Sequence, residues 1–94
     1  MATFFMFGKY TSESIREISI ERTDQVVKEI KKLKGKVNAM HALLGEYDLL
    51  FCVDLPNIEA AVQVSLKLVR LTGISFTTFP AMPIKAFDEL AAKK

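Results

Sequence analysis

The sequence predicts a small α+β domain of element order β-α-β-β-α-β, closed by a short terminal helix. Three observations carry this prediction. The two halves of the 94-residue chain echo each other as apolar strand, helix, glycine stop and more polar strand, with Leu33-Lys34-Gly35 answered by Leu71-Thr72-Gly73. Two stretches, residues 4–10 and 47–55, are apolar at successive positions, as strands covered on both faces are. Between the halves, apolar runs flank Gly45-Glu46, and glycine at the first central position suits a two-residue type II′ hairpin turn.

Residues 4–10 read as the first strand. Thr11 and Ser12 then offer N-caps for a helix carrying Glu13 in its first turn, and Ser14-Ile15-Arg16-Glu17 has the form of a capping box. The alternation Ile18-Ser19-Ile20 breaks that helix. Ser19 caps a second, longer one, in which Val26, Ile30 and Leu33 share a face. Gly35 is the expected stop, after lysines that suit the negative end of the helix dipole. Residues 36–44 form a second strand, polar enough for a sheet edge, and residues 47–55 form the third.

Pro56-Asn57 punctuates the chain, and Asn57 caps a helix over Ile58–Thr72. Glu59, Gln63, Lys67 and Arg70 make one narrow polar stripe on that helix. Almost everything else on it is apolar, so it is expected to be covered on more than one side. Gly73 ends it, residues 74–79 form the fourth strand, and Pro80 and Pro83 end that strand. Ile84, Phe87, Leu90 and Ala91 give the last helix one apolar face, expected to cover part of the second long helix or to reach a partner chain. Lys93 and Lys94 are expected to fray.

The chain reads as one domain over residues 1–94, and a chain this size buries roughly 60–70% of its unfolded surface. A hydrophobic content of 50% exceeds what one small core absorbs, so part of the apolar surface is expected to meet a second copy. The net charge of +2 argues against nucleic acid and against an anionic membrane as partners. Cys52 is the lone cysteine, which excludes an internal disulfide and fits a reducing, cytoplasmic setting. The apolar start of the chain lacks a charged leader and is too short for a signal core or a membrane span. No paired metal-ligand spacing, phosphate-cradling glycine loop or Gly-x-Ser-x-Gly motif occurs, so no metal and no cofactor are expected.

The Gly45-Glu46-Tyr47-Asp48 signature and the apolar strand after it resemble the GYD-domain family of small proteins. They resemble, more loosely, the ligand-binding domains of Lrp/AsnC-type regulators. Glu21-Arg22-Thr23, Leu55-Pro56 and Gly73-Ile74 also fall where the first family's pattern expects them. The resemblance implies a ferredoxin-like fold assembled as a dimeric α/β barrel, and it implies no activity. The ferredoxin-like sheet, order 4-1-3-2, places centrally the two strands that read apolar on both faces. An RNA-recognition motif, which shares this topology, is excluded, because residues 47–53 carry neither a basic residue nor a glycine.

A two-residue turn pairs Leu44 with Tyr47, Leu43 with Asp48, His41 with Leu50 and Ala39 with Cys52, and opposite residues share a face. Tyr47, Leu49, Phe51, Val53, Met40, Ala42 and Leu44 are then expected toward the helices. Asp48, Leu50, Cys52, Asp54, Leu43, His41, Ala39 and Val37 form a mixed face on the other side. Two such faces packed together would enclose a mostly apolar chamber, the usual character of a small-molecule site. The candidate ligand-binding residues are His41, Asp48, Cys52 and Tyr10. His41 lies diagonal to Asp48, and a carboxylate beside an imidazole would make a polar end for the chamber. Tyr10, Lys9 and Arg22 could each bind an anionic group near its mouth, with solvated surface charge the default for Lys9 and Arg22. Gly45, Glu46, Tyr47 and Asp48 are explained by turn chemistry without a ligand. The leading reading is a homodimer that holds a small, largely apolar metabolite. The alternatives are a cofactor-free oxygenase or isomerase using His41 and Asp48 as its acid–base pair, and a structural assembly subunit.

Overall fold

Alternation along the central strands sets the architecture. The computed structural model describes residues 1–93, which leaves the expectation for Lys94 outside the described residues. In order, the elements are β1 (Ala2–Lys9), a 3-10 turn (Ser14–Glu17), α1 (Ile20–Lys32), β2 (Lys36–Ala42), β3 (Leu49–Leu55), α2 (Ile58–Thr72), β4 (Ser75–Ala81) and α3 (Ile84–Ala92). The strands form one antiparallel sheet in the order β2-β3-β1-β4, the expected 4-1-3-2 counted from the opposite edge. α1 and α2 lie on one face of it.

Register decides which residues meet them. Phe4 pairs with Val53 and Met6 with Phe51, and these four are buried with Leu55 against Val26 and Ile30 of α1 and Val64 and Leu68 of α2. Each such side chain, fully buried, contributes roughly 1.5–3 kcal/mol. Between them on the same strands, Thr3, Phe5, Phe7, Leu50, Cys52 and Asp54 point the other way. Among the described residues no helix covers that second face.

Several local expectations change. Thr11 and Ser12 start no full helix. Instead Ser14 is buried in a closed exchange with Thr11, its Oγ accepting from the Thr11 amide at 2.8 Å and its amide donating to Thr11 Oγ1 at 3.0 Å. The short 3-10 turn uses up the polar groups that would have capped a helix. Ser19 does cap α1, its Oγ accepting from the Arg22 amide at 3.0 Å, and Asn57 caps α2 in the same way from the Ala60 amide at 2.8 Å. Pro80 lies inside β4 opposite Phe4, tolerated because β4 is an edge strand.

The two-residue hairpin turn does not form. β2 ends at Ala42 and β3 begins at Leu49, and residues 43–48 make a wider loop closed by the Leu43 amide donating to the Asp48 carbonyl at 2.8 Å. Gly45 has φ +146°, far from the value near +60° that a type II′ turn needs. Leu44 is therefore fully exposed rather than turned to the helices. A bulge at Asn38 shifts the start of β2, so that Val37 pairs with Val53 while Ala39 pairs with Cys52. One extra residue reverses the face of everything before it. Val37 packs on the core instead of lying on the mixed face.

α3 does not cover α2. Its Ile84, Phe87 and Leu90 are all exposed, as are Val62, Leu66 and Val69 on α2. The radius of gyration is 14.3 Å and the longest extent 51 Å, against a radius of about 12 Å for a compact domain of this length.

Two positions at the end of α1 separate space from backbone conformation. Lys34, not Gly35, takes the left-handed conformation, with φ 62°. A Cβ on Gly35 would lie 2.6 Å from Leu55 Cδ2 and 2.9 Å from the Ile30 carbonyl oxygen. Gly35→Ala is expected to destabilise the fold by roughly 1–3 kcal/mol through overpacking. Lys34→Gly, in contrast, should be neutral or stabilising by up to ~1 kcal/mol. Urea unfolding of both variants checks the pair.

Asp54 at the end of β3 supplies a pH test. Its Oδ1 accepts from Thr3 Oγ1 at 2.6 Å, Asn38 at the bulge is a second donor, and Lys36 adds a positive charge, together holding its carboxyl below the usual aspartate value. A lowered carboxylate stabilises the fold above its unfolded-state pKa, and that stabilisation is lost as the pH falls through the folded-state value. Thr3→Val should move the Asp54 titration upward, read from its carboxyl resonance by NMR. An unchanged titration would remove the Thr3 bond as the main cause.

Candidate functional site

The loop of residues 43–48 builds one end of the molecule by pinning β1. The Asp48 amide donates to the Gly8 carbonyl at 2.8 Å, and the Asp48 carboxylate accepts from the Tyr10 amide at 2.8 Å. Lys9 Nζ donates to the Glu46 carbonyl at 2.7 Å. The Tyr47 ring packs on Phe7 with centroids 5.0 Å apart. Since Phe7 lies on the uncovered face, Tyr47 belongs there too and not beneath the helices. The widened loop swings it across. Three of the four signature residues thus hold the hairpin to β1.

With its backbone held by Asp48, Tyr10 turns to the helical side of the sheet. There it forms one wall of a cleft of about 160 Å³ beneath the first half of α1. Val26, Met40, Leu49, Phe51 and Ile74 make the cleft mainly apolar, and Arg22 and Thr23 supply polar groups; His41 borders it from β2, although its pairing with Leu50 puts it in register with the uncovered face. The Arg22 guanidinium stacks over the Tyr10 ring, 5.9 Å from its centroid. Its Nη1 donates to the Ser14 carbonyl at 2.6 Å, so the 3-10 turn and the aromatic ring together fix the cation. Arg22 is half-buried. Among the described residues no carboxylate pairs with it; Glu29 pairs with Lys32 and Lys67 instead.

The four residues expected to share a site divide. Tyr10 and His41 both line the cleft. Asp48 stands behind Tyr10 and is engaged by its amide; no hydrogen bond joins Asp48 to His41 among the described residues. Cys52 is a half-buried free thiol on the opposite sheet face, flanked by Phe5 of β1 and Ala39 of β2. His41 is exposed on the β2 edge. Arg22 is the group whose importance only the fold reveals, because in the sequence it is one cation in the first turn of an amphipathic helix. Among the described residues, no group of three acidic, histidine or cysteine side chains is placed to hold a metal ion, and no helix is long and apolar enough to cross a membrane.

The uncovered face is the second candidate surface. Phe7 stacks edge-on against Phe79 of β4 at 5.9 Å and against Tyr47 on its other side. With Phe5, Leu50 and Cys52 they form a continuous aromatic and apolar layer across β3, β1 and β4. At one end of it Thr3 and Asp54 bond to each other, and Thr77, opposite Phe7, and His41, opposite Leu50, are in register with the same face.

No curated protein matches the chain in sequence. Among solved structures, it is similar to the leucine response regulatory protein (LrpA) of Mycobacterium tuberculosis, with a TM-score of 0.58 and 8% sequence identity over 87% of this chain. The match covers 51% of that regulator, so the present chain spans about half its length. At that identity the likeness is one of fold. The model of the GYD domain matches residues 4–91, from the first core phenylalanine through the hairpin, both long helices and nearly all of α3, and the chain belongs to the GYD-domain family.

Proposed function

We propose that the protein is a homodimeric module that binds a small, largely apolar molecule carrying one anionic group, with the cleft beneath α1 as the site. The observation that carries this reading is the Arg22 guanidinium, half-buried at an apolar cleft and paired with no carboxylate. A partly buried cation without a counter-ion is costly, and a ligand carboxylate or phenolate relieves that cost through charge-assisted hydrogen bonds. The cleft volume of about 160 Å³ is close to that of the engineered ~150 Å³ cavity that takes up benzene. One aromatic ring, or a branched aliphatic chain of equal size, fills it. Tyr10 then faces the ligand's polar edge. Binding is a better reading than turnover, because the carboxylate that would partner His41 is engaged at the Tyr10 amide.

The homodimer forms through the uncovered sheet face. Phe5, Phe7, Phe79, Tyr47 and Leu50 lie side by side without a covering layer, and an identical face supplies one. The chamber expected between two such faces is then filled by these rings, and the ligand lies on the helical side instead.

Benzoate is the first probe. It should raise the melting temperature of the parent protein, while phenol at neutral pH raises it less. Arg22→Gln should weaken benzoate binding about 10- to 100-fold, the range lost with one charge-assisted contact, and Arg22→Lys should recover part of it. Equal affinity in parent and Arg22→Gln, measured by calorimetry, would rule out this site.

Cys52 reports on the dimer, since it lies within the proposed interface. Phe79→Lys should increase the rate of maleimide labelling of Cys52 at least ~10-fold, as ~1.4 kcal/mol or more of interface free energy is lost. A parent protein whose Cys52 labels as fast as an unfolded peptide would exclude the sheet-face dimer.

A further inference from the structure

α3 is a helix without a support. It has nine residues, and an isolated helix of that length is marginal in water. Its N-cap is Pro83, which makes no side-chain capping bond, so the helix lacks even the local stabilisation that Ser19 gives α1 and Asn57 gives α2. Ile84, Phe87 and Leu90 lie along one side, each more than half exposed at 71%, 54% and 53%. What keeps such a helix formed is burial of that apolar side.

A matching surface exists on the same chain. Between α2 and the outer edge of β4 runs a groove of about 290 Å³ lined by Phe4, Ile58, Val62, Leu66 and Pro80, with Ser65 and Thr78 joined at 2.8 Å across its floor. Along α2 from Ile58 to Leu66 it extends about 12 Å, and from Ile84 to Leu90 the apolar side of α3 extends about 9 Å. The three side chains fit within its length.

No described residue of α3 lines the groove of its own chain. Only Met82 and Pro83 separate β4 from α3. Proline fixes its own φ, here −59°, and confines Met82 to extended conformations. The connection between β4 and α3 is therefore short and stiff. The exposed area agrees. The chain exposes 6562 Å², against about 5,500 Å² for a compact monomer of its mass. The excess of roughly 1,000 Å² exceeds the ~800 Å² that each partner buries in a standard interface.

We infer that α3 of one copy seats in the α2/β4 groove of a second copy, placing Ile84, Phe87 and Leu90 against Ile58, Val62 and Leu66. The exchange is reciprocal, so two α3 helices and two grooves are satisfied together and the contact closes. This interface uses the helical side and the β4 edge. It does not rest on the sheet-face dimer or on the Arg22 cleft.

Crosslinking between two differently marked chains tests it. In a Cys52→Ser background, a nitrogen-15-labelled Val62→Cys chain is mixed with an unlabelled Phe87→Cys chain and treated with a short bismaleimide. Mixed-mass covalent dimers are expected as the main product, at least tenfold above those formed when Glu89→Cys, on the polar side of α3, replaces Phe87→Cys. They should persist when Phe79→Lys is added, which separates this contact from the sheet-face dimer. A chain carrying both Val62→Cys and Phe87→Cys that crosslinks only within itself would show α3 folded back on its own groove and overturn the inference. Equal yields from Phe87→Cys and Glu89→Cys would overturn it as well.

Discussion

A four-stranded sheet has two faces, and this chain has one layer of long helices. The exposed apolar surfaces of the molecule follow from how that shortage is handled. α1 and α2 enclose Phe4, Met6, Phe51, Val53 and Leu55 on one side, and no helix among the described residues covers Phe5, Phe7, Leu50 and Phe79 on the other. The apolar content was high enough to show that something would remain uncovered. The sheet order then fixes where, because the two strands apolar on both faces are the central ones.

The uncovered residue is not spread evenly. Part of it lies on the open sheet face, part along the outer side of α2, and part on α3. Scattered exposed apolar side chains are ordinary. Here they are gathered by strand pairing and helical periodicity into continuous surfaces, and gathered surfaces are what partners recognise. The family signature has a quieter role than its position suggests. Asp48 holds the Tyr10 backbone and Tyr47 braces Phe7, so the motif builds the wall of the cleft without lining it.

Much of the fold was legible in the residues. The element order, the Ser19 and Asn57 caps, and the pairings of His41 with Leu50 and of Ala39 with Cys52 follow from local chemistry and period-two alternation. The misplacements share one cause. Tyr47, Leu44 and Val37 were assigned faces by counting outward from the turn, and counting fails wherever the backbone gains a residue or abandons pairing. The loop widened at one end of β2 and bulged at Asn38 near the other. The central pairs stayed correct because the buried face holds them in register from both sides.

Strand and helix identity, the buried alternation and the surplus of apolar surface were set by short-range propensity and composition, which act within a few residues and need no folded chain. The site was not. Tyr10 and Arg22 stand apart in sequence and meet because Asp48 reaches 38 residues back to the Tyr10 amide and Ser14 offers its carbonyl to Arg22. Such contacts join groups of unremarkable local character, so their significance arises from long-range geometry. The same holds for α3, whose apolar side was plain in the sequence while its exposure in the folded chain depended on the path of the whole chain.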